Sequence, residues 1–225
     1  MIVSYSMEIL KSSFPNLSNH QLEQFLKFDN EFQLWNSKIN LVSRKDIIHF
    51  ESHHLIHSLS ISKVFDFPKN TTVIDLGTGG GLPGIPLAIL YPETQFFLVE
   101  SIRKKINVVR ELTHLLELKN VTPIHARIET IEKQVDYIIS RWVGPTKEII
   151  KMVYQKGRIT FRDQHKSGLW LWKGGNLSEE LRDIDQAETY DLNEHFDQPF
   201  YSTKKILHIP KKSIITFADK MLQHG

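Results

Sequence analysis

Apolar residues in the first 65 positions recur at the spacing of an amphipathic helix. Leu22, Phe25, Leu26, Phe32, Trp35 and Ile39 form one such stripe, and Ser18 with Gln21 makes the capping pair that opens it. A helix over 18–36 is therefore predicted. A second helical stretch, about 46–65, carries Ile47, Ile48, Leu55, Leu59 and Ile61, and Pro68-Lys-Asn70 then breaks the chain. From residue 71 the pattern changes to short apolar runs alternating with helical ones. Strands are predicted at 72–76, 95–99, 121–125 and 135–140, with helices at about 85–91, 103–118 and 145–155. This βα alternation implies a parallel sheet with right-handed crossovers. Further strands are expected at 169–172, 187–192 and 205–209, with a short helix after Ser178. The expected architecture is an α/β, doubly wound sheet finished by an antiparallel hairpin. Residues 1–68 form a helical extension, and 69–225 form the core.

Composition narrows the chemistry. The chain has 225 residues, 40% hydrophobic and 24% charged, which fits an ordinary globular protein with a sizeable core. No run approaches the roughly 18 apolar residues of a membrane span, and the N-terminus lacks a signal-peptide pattern, so a cytoplasmic protein is expected. There is no cysteine. That removes thiolate nucleophiles, zinc–cysteine sites and iron–sulfur chemistry together. The net charge of +2 does not by itself mark a nucleic-acid binder.

The most informative stretch runs from Val73 to Pro86, where an apolar run ends in an acid and four glycines follow within eight residues. Bare backbone there lets a ligand approach closely. Two patterns overlap. Gly79, Gly81 and Gly84 spell the dinucleotide fingerprint, with Glu100 about 20 residues on for a ribose hydroxyl. Asp75, Gly77, Gly79 and Gly81 spell the nucleoside loop of S-adenosylmethionine-dependent methyltransferases. A pyrophosphate wants a helix N-terminus directly after the glycines, whereas Pro83 and Pro86 delay it. An anionic Asp75 at the loop entrance suits a sulfonium and an amino group better than a pyrophosphate. The residues favour the second pattern while leaving an NAD-type oxidoreductase as the alternative.

Over about residues 34–210 the chain resembles the bacterial 16S rRNA small-subunit methyltransferase G family. The matching segments are Leu34-Trp-Asn-Ser-Lys-Ile-Asn-Leu-Val-Ser, His54-Leu-Ile-His-Ser-Leu, Asp75–Pro86, Val99-Glu-Ser, Ala126-Arg-Ile-Glu129, Ile139-Ser-Arg141 and Trp172-Lys-Gly174. The resemblance implies a class I, Rossmann-like methyltransferase with a mostly parallel seven-stranded sheet, an antiparallel C-terminal strand and an N-terminal helical extension. It implies S-adenosylmethionine as cofactor, and N7 of one guanine in the 530 loop of 16S rRNA, free or in the small ribosomal subunit, as the target. It also implies cofactor contacts at Gly77, Leu82, Ile128, Glu129 and Arg141. His57 stands where the family usually has an acid, and Trp142 where it often has alanine.

Guanine N7 has a free lone pair and no proton, so methyl transfer to it needs no general base; positioning and electrostatics suffice. The segment after the fourth predicted strand, Ile139-Ser-Arg-Trp-Val-Gly-Pro145, lacks the Asn/Asp-Pro-Pro-aromatic box used for exocyclic amines. Arg127, Arg141 and Lys173 are the expected positioning residues, on phosphate or on the O6 edge of the base. Trp142, Trp170 and Trp172 are candidates for stacking, but Trp170 and Trp172 alternate with Leu169 and Leu171 and read better as core. Among His49, His53, His54 and His57 the pairs His49/His53 and His53/His57 have i,i+4 spacing, yet without the glutamate of a metalloprotease helix no metal is expected. Arg103, Lys104 and Lys105 flank the glycine loop and are equally a solvated face or an RNA-phosphate contact. Lys204, Lys205, Lys211 and Lys212 read as edge-strand charge. A monomer is expected.

Overall fold

The structure is a computed structural model and describes residues 7–141, 144–154 and 159–223. A short helix α1 (Glu8–Ser13) precedes α2 (Asn19–Lys38). The capping box predicted for α2 is present: Ser18 Oγ accepts the Gln21 N–H at 3.2 Å, and Gln21 Oε1 accepts the Ser18 N–H at 3.0 Å. The inner face of α2 presents Phe28 and Phe32, which pack on Phe50 at centroid distances of 5.8 and 4.7 Å. The second predicted helix spans Ile47–Lys63 but winds unevenly. A 3₁₀ turn (Ile47–His49) leads into a π-helical stretch (Phe50–Ile56), an α-helical turn α3 (His57–Leu59) and a second 3₁₀ turn (Ser60–Lys63). Uneven winding of this kind is frequent where a helix serves a site.

The α/β core follows as β1 (Thr72–Leu76), α4 (Gly84–Leu90), β2 (Gln95–Glu100), α5 (Arg103–Leu115), β3 (Val121–His125), β4 (Lys133–Val135), β5 (Tyr137–Ser140), α6 (Thr146–Tyr154), β6 (Ile159–Phe161), β7 (Gly168–Gly174), α7 (Ser178–Leu181), β8 (Glu188–Asp191), β9 (Lys204–Pro210) and α8 (Lys211–Gln223). Seven strands form one sheet in the order β3-β2-β1-β5-β7-β9-β8. Every pairing in it is parallel except those of β9, which runs antiparallel to both β7 and β8. The chain therefore reverses order beside β1, and the carboxyl ends of β1 and β5 open onto the crevice where α/β sheets bind ligands.

Three features differ from the sequence expectation. The run at 135–140 is two strands, because Asp136 interrupts it: its buried carboxylate accepts the Thr72 N–H at 2.7 Å and the Thr72 hydroxyl at 2.9 Å. β5 continues into the main sheet, while β4 pairs with β6 in a separate two-stranded sheet. Second, α1 lies outside the predicted stretches. Third, Lys211 and Lys212 open a helix rather than trailing from a strand, and α8 buries Ile214, Phe217 and Ala218.

The sheet separates two apolar layers. On one face Trp170 and Trp172 pack with Phe25, Phe32, Leu55 and Leu59 of the N-terminal helices. On the other, Leu169 and Leu171 pack with Ile149, Ile150, Ile214 and Phe217. This alternation along β7 is the two-residue period of a strand. Trp170 is fully buried and stacks on Phe65 at 4.6 Å and His208 at 4.2 Å, so it is a core residue. Among the described residues no helix is long and apolar enough to cross a membrane.

The tightest point under the glycine loop is Gly84. A Cβ there would lie 1.8 Å from Leu98 Cδ2 and 2.7 Å from Asp75 Oδ2. Gly84→Ala is expected to destabilise the protein by about 1–3 kcal/mol through overpacking. Urea unfolding checks this, and an unchanged midpoint would show that Leu98 yields freely.

Candidate active site

The glycine loop begins where β1 ends. Gly77 and Gly79 have φ of +66° and +60°, and a Cβ built on either meets nothing within 4 Å. Both positions favour glycine for the backbone, and any side chain would project into open space. That space is a cavity of about 470 Å³ lined by Gly77, Gly79, Glu100, Arg127, Ile128 and Glu129, with Lys105 and Ser140 at its margins. Five of the expected cofactor-binding positions are thus on one wall. Arg127 is exposed at the rim.

Glu100 is largely buried and braces the loop: Oε2 accepts the Gly79 N–H at 3.1 Å and Oε1 accepts the Ile102 N–H at 2.8 Å. A carboxylate oxygen has two lone-pair sites, so acceptor capacity remains for ligand hydroxyls.

Asp75 and Leu82 are placed otherwise than the sequence suggested. Asp75 does not face the loop entrance. It is fully buried behind the loop, and Oδ2 accepts the Gly84 N–H at 2.9 Å at the start of α4. Burial pushes its carboxyl up to about 7, against the opposing pull of the Gly84 N–H and the Arg141 charge. Leu82 is buried in the apolar layer beneath the loop, and its N–H bonds the Thr78 carbonyl at 2.9 Å. Neither side chain lies on the cavity wall.

A second cavity, about 640 Å³, lies beside the first and is lined by Asp46, His57, Arg141, Trp172, Lys173 and Phe200 among others. Consecutive residues at the end of β5 divide the two: Ser140, its last residue, lines one and Arg141 the other. Arg141 is held by the irregular helix, its Nη1 donating to the His54 carbonyl at 2.9 Å and to Ser58 Oγ at 2.6 Å. Burial pulls its guanidinium down to about 10, which leaves it charged at neutral pH. Arg141 is thus absent from the wall of the first cavity and present in the second. Lys173 donates to the Gly144 carbonyl and to Glu180, both at 2.7 Å. Trp172 donates its indole N–H to the His57 carbonyl at 2.6 Å, which fixes the floor. Trp142 lies outside the described residues.

Three of the four histidines, His53, His54 and His57, line the second cavity, and exposed His49 packs its ring on His53 at 4.6 Å. Asp46 places Oδ1 2.8 Å from His53 Nδ1 and Oδ2 2.7 Å from His54 Nε2. Burial, with Arg141 nearby, lowers His54 to about 4. Among the described residues no group of three or more His, Asp or Glu side chains is arranged to hold a metal ion. Lys205 and Lys211 pair with Asp191 and Asp163, and Lys204 lines the second cavity. The edge-strand reading fails, because β9 lies between β7 and β8 and Lys211 opens α8. Phe200 and Asp46 were invisible as site residues in the sequence, because a short 3₁₀ helix (Pro199–Thr203) and a turn bring them in and no local spacing marks them.

Comparison with known proteins identifies the family and the fold. Residues 21–208 match the model of the family described as rRNA small subunit methyltransferase G. The protein of that description from Flavobacterium johnsoniae is 48% identical over 91% of this chain and 98% of its own length. That from Flavobacterium psychrophilum is 44% identical over 92% and 99%. Among solved structures, a precorrin-6y C5,15-methyltransferase from Geobacter metallireducens matches with a TM-score of 0.50 and 15% identity, covering 77% of this chain and 92% of its own. An S-adenosylmethionine-dependent methyltransferase from Aquifex aeolicus also has a TM-score of 0.50 and 15% identity, covering 67% and 88%. These structures share the fold.

The buried carboxylate generates a pH dependence. With its pKa raised on folding, Asp75 stabilises the protein most below about pH 4, and that contribution is lost as pH rises through about 7. Asp75→Asn should flatten the loss. The stability difference between variant and parent should shift by about 1–4 kcal/mol between pH 4 and 8. Urea unfolding across that range measures it, and parallel curves would show that Asp75 does not titrate there.

The chain belongs to the rRNA small subunit methyltransferase G family.

Proposed function

We propose that this family member transfers a methyl group from S-adenosylmethionine to N7 of a guanine in the 530 loop of 16S rRNA. The observation that carries the cofactor reading is the bond from Gly84 N–H to Asp75. It occupies the helix N-terminus that a dinucleotide's pyrophosphate would need, while the glycine-bared cavity beside it stays open to a nucleoside. Gly77 and Gly79 offer backbone to the ligand, Glu100 accepts from the ribose hydroxyls, and Ile128 with Glu129 flanks the adenine. Leu82 and Asp75 act from beneath by fixing the loop.

The cofactor supplies an electrophilic methyl on a sulfonium. Held along Gly77, Gly79, Glu100, Ile128 and Glu129, it would offer that methyl group to the N7 lone pair and leave as a neutral thioether. No proton leaves N7, so the residues bordering the reaction have to orient rather than titrate. Arg141 and Lys173 suit that role because both are held by fixed protein partners before substrate arrives. Arg127, exposed at the rim, contacts RNA phosphate.

Calorimetry should show binding of S-adenosylhomocysteine and none of NAD; NAD binding alone would overturn the cofactor assignment. Gly77→Asp should abolish that binding with the fold retained, since its side chain would fill the cavity. Arg141→Ala should reduce turnover at least tenfold without unfolding the protein, and an unchanged rate would remove Arg141 from the site. In a strain lacking the gene, mass mapping of 16S rRNA should show one missing methyl group at the 530-loop guanine. A methyl retained there would refute the target.

A further inference from the structure

A ladder of three rings runs from the second cavity to the protein surface. Phe200 and His53 line that cavity and stack at a centroid distance of 3.9 Å, tilted by only 12°. His49, four residues before His53 on the irregular helix, is exposed and packs on it at 4.6 Å. Asp46 Oδ1, 2.8 Å from His53 Nδ1, fixes the middle rung. The inner end of the ladder is closed. Lys204 Nζ lies 4.8 Å from the Phe200 centroid, and His57 and Tyr201 meet that ring edge-to-face at 5.3 and 5.0 Å. At the outer end, His53 is the only ring in contact with His49 among the described residues. An exposed ring ending such a ladder has room for one more flat group.

The charges around His49 favour a nucleotide as that group. Arg44 and Lys45, in the preceding turn, are exposed, and neither has a hydrogen-bond or ion-pair partner among the described residues. The acids of the same segment are engaged. Asp46 bridges His53 and His54, and Glu51 Oε1 accepts the Leu10 N–H at 2.9 Å. The charge left unpaired over residues 44–51 is therefore positive. Unpaired cations beside an exposed ring are the combination that holds single-stranded nucleic acid, the cations on phosphate and the ring on a base.

We propose that the nucleotide next to the target guanine stacks its base on His49, so that His49, His53 and Phe200 lead the RNA strand into the second cavity. This rests on the methyltransferase reading above, with the target guanine entering that cavity. A base taken out of its stack for chemistry leaves its neighbour with an uncovered face. The His49 ring replaces the lost stacking partner at the mouth of the cavity and holds the strand in register. It does so without reading the neighbour's identity, because every base has a π-face.

The test measures kcat/KM on small-subunit RNA that is intact or carries one abasic nucleotide immediately 5′ or 3′ of the target guanine. For the parent enzyme, the abasic nucleotide on one of these sides should lower kcat/KM at least about fivefold, the lower end of what one base–aromatic stack contributes. His49→Ala should lose about as much on intact RNA, and less than about twofold more on the abasic RNA, because both changes remove the same contact. His49→Phe, which keeps a ring but no polar atom, should match the parent within about twofold. S-adenosylhomocysteine should bind all three proteins equally in calorimetry, since His49 lies outside the first cavity, and equal binding establishes that each is folded. The proposal is overturned if neither abasic nucleotide slows the parent, or if His49→Ala suffers the abasic loss in full. A His49→Phe protein as slow as His49→Ala overturns it too, since the contact would then be polar. Failure of the parent to methylate the intact RNA at all would instead refute the function on which the proposal rests.

Discussion

A single buried hydrogen bond organises the ligand-binding end of this protein. Asp75, the fourth residue of β1, accepts the Gly84 N–H at the start of α4, and the intervening residues make the glycine loop. The carboxylate is withdrawn from solvent, and its acceptor oxygen lies where any Cβ on residue 84 would collide. With both ends of the loop fixed in this way, Gly77 and Gly79 can hold positive φ with their backbone toward an open cavity. Glu100 then clamps the loop from the neighbouring strand through Gly79. Two acids on adjacent strands, one behind the loop and one beside it, shape the site before any ligand arrives. Such preorganisation is what a reaction driven by positioning requires.

The N-terminal helices belong to this site as much as the sheet does. Arg141 leaves the end of β5 and is anchored by the carbonyl of His54 and the hydroxyl of Ser58, while the indole of Trp172 on β7 reaches the His57 carbonyl. These contacts fall on the segment whose winding departs from a regular α-helix, and they tie it to two neighbouring strands. The same aromatic layer runs from Phe25 and Phe32 to Trp170 and Trp172 without interruption. A change in the packing of the extension would therefore be felt at Arg141.

Much of this was legible in the sequence. Periodicity located β1, β2, β3 and β7 to within a residue or two, and the Ser18–Gln21 pair marked the start of α2, because those signals are local. The glycine loop was legible because its backbone requirements exclude most other residues. What escaped was set by partners distant in the chain. Asp75 looked like a ligand contact, but its partner proved to be a backbone N–H nine residues on. Asp136 broke a strand because Thr72 holds it. Phe200 and Asp46 reach the second cavity from a short 3₁₀ helix and a turn, and α8 lacked a capping pair even though Ile214, Phe217 and Ala218 share one face. Leu82, which sequence likeness placed at the ligand, supports the loop from the apolar layer instead.

The central claim is that two adjoining cavities bring a methyl donor and a guanine N7 together. The most direct measurement supplies the protein with S-adenosylmethionine labelled on its methyl group and small subunits that lack this modification, then maps the label. The account predicts one label per 16S rRNA, on the 530-loop guanine, at a site that reduction and aniline treatment cleave, as N7-methylated guanine allows. Label on another atom or another nucleotide, or none with a protein that binds S-adenosylhomocysteine, would contradict it.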